Sequence, residues 1–197
     1  MQNDNIKSMK LYNFIDRVYN ELRELGKATS GPLSVNELSS FDQLHYHGTQ
    51  AIDFAIKKLN INHKSKILEI GSGLGGPARY LAKKTGANIT AVELQEDHHL
   101  VGIDLTKRCG LENNVEHLCG DFLDLKLPSD QYDSVVSWLA LYHIPERDNL
   151  TGRSIGKISP IDTEHPKSEL GSLSHFCTDR DPSVLFEIVR STQRDMY

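Results

Sequence analysis

Four glycines crowd into six positions, Gly71, Gly73, Gly75 and Gly76, inside the stretch LEIGSGLGGPARYL (68–81). The apolar run KILEI (66–70) precedes them, and a helix-forming run over 77–85 follows, with Pro77 in its first turn and Gly86 as its stop. That order dictates strand, tight turn, helix. Glycine reaches φ > 0 without strain and, lacking Cβ, lets a ligand come close to the backbone. The helix behind the turn presents free N–H groups and the positive end of its dipole, a seat for a carboxylate or phosphate.

The same alternation continues down the chain. NITAVEL (88–94) reads as a strand, 96–109 as a helix ending before Gly110, NVEHLC (114–119) as a third strand and YDSVVSWLA (132–140) as a fourth. Apolar strands separated by helices predict an α/β fold: a Rossmann-like, doubly wound, mainly parallel sheet covered on both faces. Upstream, Leu11, Phe14, Ile15, Val18, Leu22 and Leu25 keep helical spacing within 6–25, and KATSGPLS (27–34) reads as a connector. Ala51, Ile52, Ala55, Ile56 and Leu59 mark a second helix that ends near Asn60. The chain thus divides into an N-terminal helical segment (1–60), a Rossmann-like core (61–150) and an irregular tail (151–197) with one strand over 183–190. Strand order 3-2-1-4 would leave strand 4 with an open apolar edge unless 183–190 covers it.

Composition narrows the function classes. The 197 residues hold 22 Lys and Arg against 27 Asp and Glu, a net charge of −5 with no basic run, which argues against nucleic acid as a partner. Mean hydropathy is −0.43 and no apolar stretch approaches the ~20 residues of a bilayer span, so no membrane partner is expected. MQNDNIKSMK shows no apolar signal core, and Cys109, Cys119 and Cys177 form no C-x-x-C pair. A cytoplasmic protein without disulfides or structural zinc is the expectation. His45 and His47 lack an obvious third ligand, so no metal site is expected.

Gly71, Gly73 and Gly76 also satisfy G-x-G-x-x-G, so the turn alone admits a dinucleotide, and Glu93 at the end of the second strand suits ribose hydroxyls in either case. Two features favour another cofactor. Glu69 lies two residues before the first glycine, and Gly120-Asp121-Phe122 follows the third strand. E-x-G-x-G with G-D-F downstream resembles the class I S-adenosylmethionine (SAM) dependent methyltransferases. A Tyr80-x-x-x-Lys84 match to the dehydrogenase pair sits too close behind the glycines to reach a nicotinamide ring. FDQLHYHGTQAIDFA (41–55), ILEIGSGLGGPARYLA (67–82), AVELQEDHH (91–99), HLCGDFLDLKLP (117–128) and YDSVVSWLALYHIPERD (132–148) follow in that order. Together they resemble small-molecule enzymes such as the sarcosine/dimethylglycine and phosphoethanolamine N-methyltransferases, over about residues 11–150.

The resemblance implies a cofactor site. Gly71, Gly73 and Gly75 would surround the methionine part of SAM, with Glu69 near its ammonium. Glu93 would accept from both ribose hydroxyls with Leu94 beside it, Asp121 from the adenine amino group, and the Phe122 N–H would reach a ring nitrogen. Trp138 would face the sulfonium and the acceptor, a small molecule and by this likeness an amine. The segment holding Gln43, His45 and Tyr46 would fold over the cofactor as a lid made with the N-terminal helices.

Methyl transfer from a sulfonium is an in-line displacement that needs a base only if the acceptor arrives protonated. His45, Tyr46 and His143 are the candidates; His143 follows the fourth strand, at the carboxyl edge where open α/β sheets bind ligands. His45 and His47 also fit a helix start, and His143 beside Pro145 fits a capping residue. His98 and His99 read as the solvated face of a helix, Cys109 and Cys119 as packing residues.

After PERDNL (145–150) the family would continue the helix, then add a fifth strand and an antiparallel hairpin; here Thr151-Gly152 interrupts, and the tail has the look of a truncation or replacement. Three readings follow: a SAM-dependent methyltransferase, a catalytically impaired SAM-binding isoform or fragment, and an NAD-linked oxidoreductase.

Overall fold

A computed structural model describes residues 15–27, 30–45, 47–128 and 131–140, together with the backbone of 158–160 and 189–191. The chain opens with helices α1 (Ile15–Glu24), α2 (Val35–Leu38) and α3 (Gly48–Leu59). The expected helix over 6–25 is seen from Ile15 onward, and its earlier part lies outside the described residues. An element not read from sequence follows the connector. Ser34 caps α2 with a capping box, its hydroxyl taking the Glu37 N–H while the Glu37 carboxylate reaches back to the Ser34 N–H.

Strands and helices then alternate as β1 (Lys66–Ile70), α4 (Gly76–Thr85), β2 (Asn88–Glu93), α5 (Glu96–Arg108), β3 (Val115–Cys119) and β4 (Ser134–Val136). β5 (Ile158–Pro160) and β6 (Val189–Ser191) follow. The sheet order is β3-β2-β1-β4-β6-β5. β1 pairs in parallel with β2 from Lys66 opposite Asn88 to Ile70 opposite Val92, and with β4 from Ile67 opposite Ser134 to Glu69 opposite Val136. The doubly wound α/β reading therefore holds.

Three differences have physical causes. β3 is an edge strand with exposed Glu116, so it is half-wet rather than covered on both faces. β4 is shorter than 132–140 because Leu139 turns into the left-handed region at φ 65° and takes the chain out of the ladder. β6, within the stretch read as one strand, pairs antiparallel with β4, Ser134 opposite Arg190, and β5, which had no sequence signal, pairs with β6.

Burial follows the period of each element. β1 buries Ile67, Leu68, Glu69 and Ile70, and α3 and α4 pack on one sheet face through Ala51, Ile52, Ala55, Ala78 and Leu81. α1 packs its Val18 and Leu22 with Val101 and Leu105 of α5. Burial at ~25 cal/mol per Å² drives this assembly, and the glycine turn is held between its two sides.

Candidate functional site

The carboxyl ends of β1, β2, β3 and β4 meet at a cleft of about 1040 Å³, its open mouth included. The glycine turn forms the floor. Gly71 and Ser72 both donate their N–H to the Val92 carbonyl at 2.9 Å, and Gly75 donates to Ser72 at 2.8 Å, which closes the turn into α4. Gly71, Gly73 and Gly75 have φ of 70°, 55° and 74°, so each stands where a side chain strains the backbone. Gly71 and Gly73 line the cleft with Glu69, Ser72 and Pro77. Gly75, expected to touch the ligand, does not line it. It is the N-cap of α4, and a Cβ there would meet the His117 ring at 2.6 Å.

Glu93 does more than its expected role required. Its Oε2 takes the Gly73 N–H and its Oε1 the Gln95 N–H, both at 2.8 Å, so it ties the glycine turn to the end of β2. Each carboxylate oxygen has two lone pairs, which leaves each one able to accept from a ligand hydroxyl. Leu94 stands beside it on the rim, and Asp121 and Phe122 line the opposite wall after β3. The Asp121 carboxylate takes the Leu123 N–H at 2.8 Å, which shapes the loop, and the Phe122 ring is buried with Leu68, Val92 and Val135.

Glu69 is the outlier. It is 0% exposed and lines the cleft, and neither carboxylate oxygen makes a hydrogen bond of normal geometry, although the Ala78 backbone N–H reaches toward it. Burial pushes its pKa from the usual carboxylate range up to about 8, against the pull of the nearby Arg79 charge and with the push of Glu93. An unpaired buried carboxyl costs free energy unless something cationic meets it.

The lid candidates divide. His45 lines the cleft, and its ring stacks on Trp138 at 5.3 Å between centroids. Gln43 does not line it but joins Asp42 to His45, its amide N–H donating to Asp42 Oδ1 at 2.9 Å and its Oε1 lying 3.1 Å from His45 Nε2. Tyr46 and His143 lie outside the described residues.

Sequence reading missed several residues here. Asp42 is fully buried and pairs with the equally buried Arg79 of α4 at 2.9 Å; Arg79 also donates to the Gly102 carbonyl and to Thr106 Oγ1. Thr106 Oγ1 in turn lies 2.8 Å from His117 Nε2, and burial, with the nearby Arg79 charge, holds His117 neutral with its pKa down at about 3. His98 is a correction: it is buried and lines the cleft rather than facing solvent. The signal was present, since His98, Val101, Gly102, Leu105 and Thr106 repeat with helical spacing and form the inward face of α5. Leu139 and Ala140 complete the wall beyond β4.

Among the described residues the cleft is lined by four carboxylates, Asp42, Glu69, Glu93 and Asp121, and by no Lys or Arg. Tyr80 and Lys84 bond to each other and to Asp53 and do not line the cleft, so the dehydrogenase-like pair is a structural clamp. Cys109 and Cys119 both have pKa values raised by burial and are not thiolates at neutral pH. No group of three or more His, Cys, Asp or Glu among the described residues can hold a metal ion, and no helix there is long and apolar enough to cross a membrane.

Residues 67–153 match the family described as "Methyltransferase domain". The glycine turn, Glu93 and Asp121 all fall within this matched stretch. Curated relatives agree. The chain is 30% identical over 112 residues to "Methyltransferase GfsG" of Streptomyces halstedii, covering 57% of this chain and 40% of that one. It is 33% identical over 93 residues to a glycine/sarcosine/dimethylglycine N-methyltransferase of Actinopolyspora halophila, covering 47% and 16%. It is 26% identical over 146 residues to 24-methylenesterol C-methyltransferase 2 of Arabidopsis thaliana, covering 72% and 39%. The chain thus spans well under half the length of these relatives, whose names cover both nitrogen and carbon acceptors. The match is to a methyltransferase domain, and it does not single out an amine.

Proposed function

We propose that the chain binds SAM in this cleft and passes its methyl group to a small molecule held beside the Trp138–His45 stack. The single observation behind the cofactor is Glu69, a fully buried carboxyl at the foot of the glycine turn whose oxygens meet no side-chain donor. A diphosphate laid against the start of α4 would meet Glu69, Glu93 and Asp121 with no basic side chain lining the cleft to offset them, whereas an α-ammonium would pair with Glu69 as it gives up its proton. When bound, SAM supplies a methyl group on a sulfonium for in-line displacement, and leaves as the neutral thioether.

The chain's own residues supply binding and alignment. Glu93 accepts the ribose hydroxyls with the lone pairs that Gly73 and Gln95 leave unused. Asp121 and the Phe122 N–H take the adenine edge, and Gln43 supports the wall from behind. Trp138 and His45 stack at the mouth, where they exclude water and orient the acceptor. His45 is the described group placed to take a proton from an acceptor that arrives protonated, with Tyr46 and His143 as further candidates. Glu93 and Asp121 line the cleft with no basic side chain beside them, whereas Asp42 is paired with Arg79 and Glu69 holds a proton at neutral pH. That balance favours a cationic or neutral acceptor over an anionic one, which suits an amine. The shared name of the glycine/sarcosine/dimethylglycine relative supports the same choice, and the sterol relative supports carbon.

Calorimetry of the purified chain with SAM, its demethylated product and NAD tests the cofactor. Tighter binding of NAD than of SAM would defeat this reading. Methylation of a panel of amines and sterols then tests the acceptor. A second reading, a SAM binder with little turnover, draws on the short β4 ladder, because β4 supports the acceptor wall with three residues.

A further inference from the structure

The described groups around His45 form one ordered chain, and its chemistry has a direction. Arg79 and Asp42 are both 0% exposed and paired at 2.9 Å. A buried guanidinium can only donate and a carboxylate can only accept, so Asp42 is fixed as a carboxylate acceptor. Its other oxygen, Oδ1, takes a bond from Gln43 Nε2 at 2.9 Å. That bond settles which end of the Gln43 amide is nitrogen. The amide oxygen must therefore point the other way, and it lies 3.1 Å from His45 Nε2. An amide oxygen has no proton to give, so Nε2 of His45 must be the donor. The neutral ring then has its lone pair on Nδ1. The ring plane is set as well, since His45 stacks on Trp138 with 28° between planes.

The backbone is fixed at the same place. A Cβ on Gly76 would meet the Asp42 carbonyl oxygen at 2.3 Å, so the strand of chain leading to His45 lies directly on the first turn of α4. Glycine is required there by close approach, because Gly76 has no positive φ.

We propose that Asp42, anchored by Arg79, acts through Gln43 to fix both the tautomer and the ring orientation of His45 against Trp138, making Arg79, Asp42 and Gln43 positioning residues of the cleft. The site meaning of this chain rests on the methyltransferase reading, whereas its geometry does not. In the neutral ring so held, Nε2 carries the proton and Nδ1 the lone pair. The arrangement places the base on the same rigid body as the glycine turn, since α4 contributes both Arg79 and the turn's helix.

Trp138 is the chain's single tryptophan, so its emission reports the His45 stack without interference. The experiment uses the full chain and four variants: His45→Ala, Gln43→Ala, the double His45→Ala/Gln43→Ala, and Asp42→Asn. Nitrogen-15 shifts of His45, assigned by its loss in His45→Ala, read the tautomer. Acrylamide quenching of Trp138 reads the stack. The expected result is a single Nε2–H tautomer in the parent and a mixed population in Gln43→Ala. Quenching of Trp138 in Gln43→Ala should rise to the His45→Ala level, and the double variant should show no further rise. SAM affinity in Gln43→Ala should fall about twofold to tenfold, the loss of one neutral hydrogen bond.

An unchanged tautomer and unchanged quenching in Gln43→Ala would overturn the proposal, because a merely structural Gln43 leaves both signals alone. Gln43 is partly exposed, so its variant reads the chain even if Asp42→Asn fails to fold. Where Asp42→Asn does fold, it must loosen His45 as Gln43→Ala does; a fixed ring there also overturns it. A parent chain that shows the expected His45 signals but no SAM binding would defeat the cofactor reading and leave the positioning intact.

Discussion

β1 has a different kind of neighbour on each side. Toward β2 and β3 the parallel ladders run five positions each, and every strand end delivers a polar group to the cleft: Glu69, Glu93, then Asp121. Toward β4 the ladder is three positions long, and the outer partner β6 meets β4 at Ser134 and Val135 only. The first side is also braced by the buried chain Asp42–Arg79–Thr106–His117. The second side holds the cleft with Trp138, Leu139 and Ala140, which follow the strand rather than extend it. The β2–β3 side is therefore built from long pairing plus a polar core, the β4 side from a short strand and the turn beyond it. Changes on the first side should cost stability and affinity together, and changes on the second should act locally.

The largest effect is expected from Arg79→Met. It leaves Asp42 buried and unpaired, which should destabilise the chain by about 3–5 kcal/mol in denaturant unfolding. A loss near zero would mean that the pair is not a brace, and the contrast between the two sides would fail. Next comes Glu93→Ala. Losing a charged acceptor for two hydroxyls should weaken SAM by about 2–4 kcal/mol in calorimetry, with Asp121→Ala costing less because one bond is lost. Since Glu93 also holds the Gly73 and Gln95 N–H groups, the melting temperature should fall as well. Unchanged affinity would remove Glu93 from the cradle.

Glu69 sharpens the comparison through pH. Its folded pKa of about 8 lies above the ordinary carboxylate value of about 4.5, so between those values the folded chain keeps a proton that the unfolded chain has released. Its contribution therefore falls as pH rises from about 4.5 to about 8 and is flat outside that window. His117, depressed to about 3, acts in the opposite sense, adding stability as pH rises from about 3 to about 6.5. Above pH 6.5 Glu69 acts without His117, and Glu69→Gln should abolish the downward slope there. Binding of an ammonium should also expel up to about one proton at pH 7, read as a dependence of calorimetric enthalpy on buffer. Absence of that proton in the parent chain would place the ammonium elsewhere.

The smallest effect is expected from Arg190→Pro in β6. Proline removes a ladder N–H, but only from a strand that meets β4 at two positions, so SAM affinity should shift by less than about threefold, under ~0.7 kcal/mol. A collapse of binding would show that the far side of the sheet holds up the near one.

Much of the first side was legible in the sequence. KILEI and NITAVE are continuous apolar runs, and Gly86 stops α4 in the left-handed conformation that its position after Thr85 implies. Glu69, Gly71, Gly73, Glu93, Leu94, Asp121, Phe122 and Trp138 reach one cleft because strand ends in a parallel sheet lie side by side, and His45 joins them from the loop before α3. What stayed hidden depends on distant partners. Nothing local marks Asp42 as the mate of Arg79, 37 positions away, or His117 as the neighbour of Gly75. β5 was hidden for the same reason: three residues have no period of their own, and only pairing with β6 makes them a strand.

Gly71 and Ala140 touch so closely that a methyl group on the glycine would fall 2.0 Å from the alanine's Cβ. The turn on the cofactor side and the exit from β4 therefore share a single wall, one atom thick. A bulkier residue at 140 presses on the turn, and a bulkier residue at 71 presses on the exit, so neither compartment can be resized there without cost to the other. Redesign of acceptor choice has to treat this seam as a fixed point and seek its freedom in the rim formed by Leu44, Leu94 and Leu139, where side chains face the opening.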